Sequence, residues 1–306
     1  EEGEIVVSAK LFLDIVRRLP EEIVFIETDE RMVTYIACGK VNYQIVGMSS
    51  VEYPDLPSFE QTDRITLNAK ILRDMIRQTV YAVSENTAKP IYTGSLYEIE
   101  DGVFKIIAID GYRMAIRSEN VDSESKNRFV VPGKTQHEVL KLLTDDEENT
   151  EIIIGQRHIT FKIKNYRIIS RLIEGTFIEY KSAIPKETKT EVVINTRTII
   201  DAVERMSLLN NDRIQSPVRC IFSDDEIKLS CTSAVGRAND VISVPIIGES
   251  VEIGFNNRYL LDALKNADTD EIKLILNGSL TAMIVKPVKG DSYLSIVVPM
   301  RLANEN

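Results

Sequence analysis

Residues 251–267, Val-Glu-Ile-Gly-Phe-Asn-Asn-Arg-Tyr-Leu-Leu-Asp-Ala-Leu-Lys-Asn-Ala, change periodicity partway along. The first five residues alternate as a strand does, and the Gly/Asn cluster turns the chain. The remainder predicts a short helix with Leu260, Leu261 and Leu264 on one face and Arg258, Asp262 and Lys265 on the other. Segments starting near Ile5, Ile65, Phe129 and Glu191 follow the same plan. Each places a base and an acid four apart in its helix: Lys10/Asp14, Lys70/Asp74, Lys134/Glu138, Arg197/Asp201 and Arg258/Asp262. The basic positions recur at intervals of 60, 64, 63 and 61 residues, which makes them an internal repeat.

Each repeat predicts a strand, a helix and three further strands. Two kinds alternate: one with a tight return to its strands (1–62, 129–187 and from 251) and one with a longer excursion (64–118 and 190–245). A single unit cannot bury its helix stripe, so adjacent units are expected to pair, with sheets covering two helices. The fold class is therefore α+β, repeated strand-helix-three-strand units with helices on one face of antiparallel sheets. The expected domains are 1–63, 64–188 and 189–306. The first is a lone unit, which implies a partner unit ahead of Glu1 in the full protein.

The 306 residues, 43% hydrophobic and 27% charged, fit several globular domains, and no apolar run approaches a membrane span. The acidic opening Glu1-Glu2-Gly3-Glu4 is not a targeting pattern, and Cys38, Cys220 and Cys231 lack motif spacing. A cytoplasmic protein with reduced thiols is the expectation, with no membrane partner, metal or cofactor. His137 and His158 stand apart, and no phosphate loop or nucleophile elbow occurs, so no catalytic residue is assigned. The pair Asp110-Gly111 reads more readily as a strand-ending turn than as a catalytic acid.

The net charge of −10 speaks against nucleic acid until it is resolved by position. The five helical windows carry 12 Lys and Arg against 6 Asp and Glu, leaving 25 against 41 elsewhere. Basic residues in a first helical turn oppose the helix dipole, and base-before-acid is the weaker order of an i,i+4 pair, so helix stability does not explain them. For any one helix a solvated polar face suffices. Five equivalent copies instead suggest a common surface that holds a polyanion through its phosphates without reading sequence. A repeat-built protein-interaction scaffold with no DNA role is the alternative, and indifference to salt and polynucleotide would favour it.

Several stretches resemble the bacterial DNA polymerase III beta subunit, the replication sliding clamp family. They are Glu52-Tyr53-Pro54-Asp55-Leu56-Pro57, Ile107-Ala108-Ile109-Asp110-Gly111-Tyr112-Arg113-Met114-Ala115, Val130-Val131-Pro132-Gly133-Lys134, the Gly254 to Leu264 segment, and Ile296-Val297-Val298-Pro299-Met300-Arg301-Leu302. The resemblance implies the DNA-clamp fold, a head-to-tail homodimer ring around duplex DNA, no catalysis and no cofactor. It also implies a groove for short motifs of the polymerase III catalytic subunit, the clamp loader and other DNA-processing proteins. By position the groove comprises Tyr92, Ile109, Gly111, Tyr112, Arg113, Met114, Ile178, Ser182 and Ala183, with Asn256, Tyr259, Leu280, Ala282, Ile296, Val297, Val298, Pro299, Met300 and Arg301. Burial in a terminal strand would explain Ile296 and Val297 equally well. The DNA-facing set is Lys10, Lys70, Arg73, Arg77, Lys89, Lys134, Arg197 and Arg258, and the dimer contact is Tyr43 with Leu208 and Leu209. Tyr92, Tyr112, Ser182, Ala183 and Val298 stand where the family usually has Leu, His, Arg, Val and Met.

Overall fold

A computed structural model describes residues 2–54, 61–144, 148–210 and 216–302. It divides into two units, Glu1–Ser58 and Phe59–Asn306.

The first unit holds helix α1 (Ala9–Val16) and the antiparallel strands β1 (Val24–Thr28), β2 (Val33–Cys38) and β3 (Val41–Val46), in the order β1-β2-β3. Its small core is Ile15, Ile36 and Ile45. The strand expected over 5–7 is a single bridge from Val6 to Met48. Residues 55–57 of the Tyr53-Pro54 turn motif lie outside the described residues.

The second unit contains the other four copies. The first pair comprises β4 (Gln61–Asn68), α2 (Ala69–Val80), β5 (Gly94–Glu100), β6 (Val103–Ile109) and β7 (Arg113–Asn120), then β8 (Asn127–Pro132), α3 (Gly133–Leu142), β9 (Asn149–Gly155), β10 (His158–Ile163) and β11 (Tyr166–Arg171). The second pair comprises β12 (Thr190–Asn195), α4 (Thr196–Ser207), β13 (Val218–Ser223), β14 (Glu226–Ser233), β15 (Gly236–Ser243) and the short β16 (Ile246–Gly248). It continues with β17 (Val251–Phe255), α5 (Asn257–Lys265), β18 (Glu271–Leu276), β19 (Met283–Pro287) and β20 (Tyr293–Val297).

At three of the five copies an asparagine at the junction caps the helix and lets strand pass to helix without a loop, whereas Pro132 ahead of α3 makes no side-chain cap bond. Asn68, Asn195 and Asn256 each accept first-turn backbone N–H groups on their side chains, as Ser8 does for α1. A helix entered this way lies between layers, so its leading strand belongs to one sheet and its following strands to another. The leading strands are in fact exchanged: β4 pairs with β9 and β8 with β5, β12 with β18 and β17 with β13. Each exchange closes a core around two helices. One contains Leu72, Met75 and Ile76 of α2 with Val139 of α3, and the other Ile199, Val203 and Met206 of α4 with Leu260 and Leu264 of α5.

The two pairs are joined by the antiparallel ladder of β20 on β7, in the register Tyr293↔Arg117 to Val297↔Arg113. This makes one nine-stranded sheet, β16-β12-β18-β19-β20-β7-β6-β5-β8. Its helix-bearing face carries the two cores. Its opposite face carries a separate apolar cluster, including Leu96, Ile107, Ile109, Met114, Ile116, Ile284 and Ile296, that runs across the joint.

Candidate partner groove and basic helix positions

The joint is built around Arg113. The turn before it is an Asx turn: Asp110 Oδ1 accepts the backbone N–H groups of Tyr112 (2.8 Å) and Arg113 (3.0 Å), while Gly111 supplies the positive φ of 98°. Asp110 Oδ2 accepts from Arg113 Nε at 2.9 Å, and Arg113 Nη1 donates to Asp262 of α5. The guanidinium lies 5.4 Å from the Tyr81 ring centre and 4.6 Å from that of Tyr259. Both Asp110 oxygens are thus engaged by its own turn, as the turn reading expects.

Polar contacts extend this joint along the end of α2. Arg77 pairs with Asp268 at 2.5 Å, and Gln78 Nε2 donates to the Asn266 carbonyl at 3.0 Å. The Tyr81 hydroxyl lies 2.8 Å from Ser295 Oγ and 3.1 Å from the Tyr293 hydroxyl. Burial pushes Tyr81 up to about 12, so it is a neutral hydrogen-bonding phenol throughout the physiological range.

Most of the predicted groove residues meet on the sheet face opposite the helices. Ile109, Met114 and Ile296 belong to its apolar cluster, with Tyr92, Ile178 and Ala282 packed against it. Tyr92 meets Phe177 edge-on at 6.1 Å. Ser182 and Ala183 are exposed on the 3-10 turn Tyr180–Ala183, anchored by Tyr180, whose hydroxyl donates to the buried Glu98 at 2.7 Å. The tail crosses the joint: the Val298 N–H donates to the Tyr112 carbonyl at 2.9 Å and the Met300 N–H to the Gly254 carbonyl at 2.8 Å. Val298, Pro299, Met300 and Arg301 all keep exposed surface, as does Leu280 on the loop between β18 and β19.

Two expected groove residues, Val297 and Arg113, are buried, and a third, Asn256, serves as a helix cap. Val297 alternates with Ile296 along β20 and points to the helix-side core, where it is fully buried. Arg113 is 7% exposed, with Nε donating to Asp110 and Nη1 to Asp262, so it shapes the site from beneath. Asn256 directs its side-chain oxygen into α5 as the N-cap. Tyr259 is held by Arg113 on one side and stacks with Tyr112 at 5.8 Å on the other. Burial, reinforced by the nearby Asp110 charge, pushes its phenol pKa up.

A cleft of about 580 Å³ opens on the far side of the Asp110-Gly111 turn, lined by Tyr92, Tyr112, Tyr259, Lys89, Arg258 and the loop from Ser84 to Ala88. Lys89, in the loop before Pro90, and Arg258, in the first turn of α5, both line this mouth. Sequence reasoning paired Asp262 with Arg258, where the structure pairs it with Arg113, and it missed Tyr81 and Glu85. Nothing in the local pattern distinguishes them from ordinary helix and loop residues.

The helix bases are arranged differently from the four-apart expectation. Of the five pairs only Arg197–Asp201 forms, at 2.8 Å. Asp14 turns to Arg18 (3.5 Å), Asp74 to Arg77 (3.4 Å) and Glu138 to Lys141 (2.8 Å), each an acid preceding its base, the favourable order. This leaves Lys10, Lys70 and Lys134 exposed and without an ion pair among the described residues. Arg73 is half-buried on α2, whereas Arg77 is committed to the joint. Of the dimer candidates, Leu208 is 82% exposed and Tyr43 is partly exposed on the edge strand β3. Leu209 instead packs on its own core.

Paired sheets exchanging strands over internal helices are the DNA-clamp fold. Three descriptions of the DNA polymerase III beta subunit match the chain: its N-terminal domain over residues 1–57, its central domain over 66–179 and its C-terminal domain over 181–301. The beta sliding clamp of Halalkalibacterium halodurans is 33% identical over 308 residues, covering 98% of this chain and 81% of that protein. That of Bacillus subtilis is 32% identical over 304 residues, covering 98% and 80%. Among solved structures, the Bacillus subtilis DNA polymerase sliding clamp superposes with a TM-score of 0.93 at 31% identity over 99% of this chain and 84% of that one. A putative DNA polymerase III beta subunit from Eubacterium rectale gives 0.92 at 31% identity over 98% and 82%. The chain belongs to the DNA polymerase III beta subunit family, the beta sliding clamps, which are non-catalytic processivity subunits.

Proposed function

We propose that this protein closes as a ring homodimer around duplex DNA and tethers the polymerase III catalytic subunit, the clamp loader and other motif-bearing proteins. The domains are 1–63, 64–188 and 189–306, working in the cytoplasm; no helix among the described residues is long and apolar enough to cross a membrane. The observation that carries the reading is the β7–β20 ladder, which gives one sheet two unlike faces. Helices bearing unpaired lysines cover one face, and an apolar cluster crossed by the tail lies on the other.

Lys10, Lys70, Arg73, Lys134 and Arg197 supply the phosphate contacts. Such contacts are sequence-blind and exchange readily, as a sliding protein requires. The apolar cluster with Tyr92, Tyr112, Ser182, Ala183, Leu280 and residues 298–301 receives the Leu and Phe anchors of partner peptides. Tyr43 and Leu208 serve the ring contact. Replacing Lys10, Lys70, Lys134 and Arg197 by Ala tests the DNA role. Binding to unrelated duplexes should weaken equally, with the salt slope falling by roughly one unit per lost contact, whereas an unchanged slope contradicts it.

A further inference from the structure

The four-stranded sheet β11-β10-β9-β4 has a face that neither the groove nor the helix positions use. Ile152, Ile154, Ile159, Phe161 and Ile163 point to the core around α2 and α3, so the residues between them point outward. That outward face is basic on a protein of net charge −10. Glu151 is shared by Lys162 (2.6 Å) and Arg64 (2.5 Å), and Glu174, just beyond β11, by Arg171 (3.3 Å) and Arg157 (3.9 Å). Arg167, level with Lys162 across the strands, is exposed and has no ion pair among the described residues. Lys164 and Glu148 at the far end offset each other. Five further cations thus face two carboxylates. The fold does not demand this excess. On β12, β18 and β19, the corresponding strands of the second pair, Lys273 has Glu191 at 2.6 Å and Lys286 has Asp291 at 3.1 Å.

We propose that this outward face docks an extended acidic segment of a partner protein, in which two carboxylates flank one apolar residue at alternate positions. The spacing comes from β11. Arg167, Ile169 and Arg171 alternate along one side of the strand, so the two arginines stand roughly 13 Å apart with Ile169 between them. An extended peptide repeats its own side chains with the same period. A Glu-x-Leu-x-Glu segment laid along β11 therefore meets both guanidiniums with its carboxylates and Ile169 with its leucine. Charge complementarity selects an acidic occupant, and the planar fork of arginine suits a carboxylate. A single-stranded nucleic acid fits less well, because the outward positions of these strands hold no aromatic ring among the described residues on which bases could stack. The surface lies across the sheet from α2 and α3, which separates it from the lysines assigned to duplex DNA.

Fluorescence anisotropy would compare labelled Ser-Glu-Ser-Leu-Ser-Glu-Ser with its counterpart Ser-Gln-Ser-Leu-Ser-Gln-Ser on the intact protein at low salt. The acidic peptide should bind about tenfold more tightly, the scale of two exposed arginine-carboxylate pairs. The Arg167→Gln/Arg171→Gln variant should erase that preference. Both side chains are exposed, so its circular dichroism and its salt slope on duplex DNA should stay at the wild-type values. Equal affinity for the two peptides, no binding by either, or a preference that survives in the variant overturns the proposal. So does a fall in the duplex salt slope, which would make these arginines part of the duplex contact. Tighter binding of an oligothymidylate that is lost in the variant would overturn it in favour of a nucleic acid.

Discussion

The guanidinium of Arg113, at the start of β7, lies 4.6 Å from the ring centre of Tyr259 on α5 and bonds Asp262 one turn further along the same helix. One buried side chain thus fastens β7 to helix α5 across the β7–β20 joint. Arg113→Ala would leave the Asp110 carboxylate, 10% exposed, without its cation. A loss of about 3 kcal/mol in denaturant unfolding is expected. Arg113→Lys should recover only part of it, because an ammonium cannot fork between two acids and stack on Tyr259 as well.

The tail lies close against Gly254. A Cβ there would stand 2.6 Å from Leu302 Cδ2 and 2.9 Å from the Met300 carbonyl oxygen. Gly254→Ala should displace residues 300–302 and weaken a Gln/Leu/Phe-type peptide while leaving circular dichroism unchanged. Deleting residues 298–306 should abolish that binding, since anchor residues are worth about 2 kcal/mol or more each. Unaltered affinity in both variants would place the peptide elsewhere.

Leu208→Asp places a charge on an 82% exposed side chain and should not harm folding. The expected result is a shift to monomer mass in sedimentation. Leu209 is the wrong residue for this test because its substitution would also disturb the core it packs on.

Glu151 is held between Lys162 (2.6 Å) and Arg64 (2.5 Å), and its carboxyl lies below its ordinary value, chiefly through the Lys162 hydrogen bond. A lowered folded-state pKa contributes stability that is present above the unfolded value and lost as pH falls through the folded one. Glu151→Gln should therefore cost about 1 kcal/mol or less at pH 7. The gap to wild type should close as unfolding is measured at progressively acidic pH.

All three cysteines are buried, and burial pushes the Cys220 thiol up to about 12. A thiol reagent at neutral pH should find them unreactive in the folded protein and label all three after unfolding.

The alternation of residues 251–255 and the helical stripe after it stood out in the sequence, as did the roughly 62-residue spacing of the copies, because burial imposes period on side chains. The exchange of leading strands did not stand out, since a strand's pattern records that a face is buried but not which neighbour covers it. The same limit explains Val297 and Arg113. Both sit in the motif strings that carry the family resemblance, and one residue of alternation decides whether a side chain meets the groove or the core. The ion pairs diverged for another reason. Spacing alone favours Lys10 with Asp14, but side-chain direction and the helix dipole favour acid before base, so Arg18, Arg77 and Lys141 take the carboxylates.

A closed ring implies topological linkage to DNA. The protein should be incubated with nicked circular duplex in the presence of a clamp loader and ATP, then separated by gel filtration in salt high enough to screen phosphate contacts. Co-elution with the circle, followed by release when a restriction enzyme linearises it, is the predicted result. Failure to co-elute with the circle, or retention unchanged by linearisation, would contradict the account.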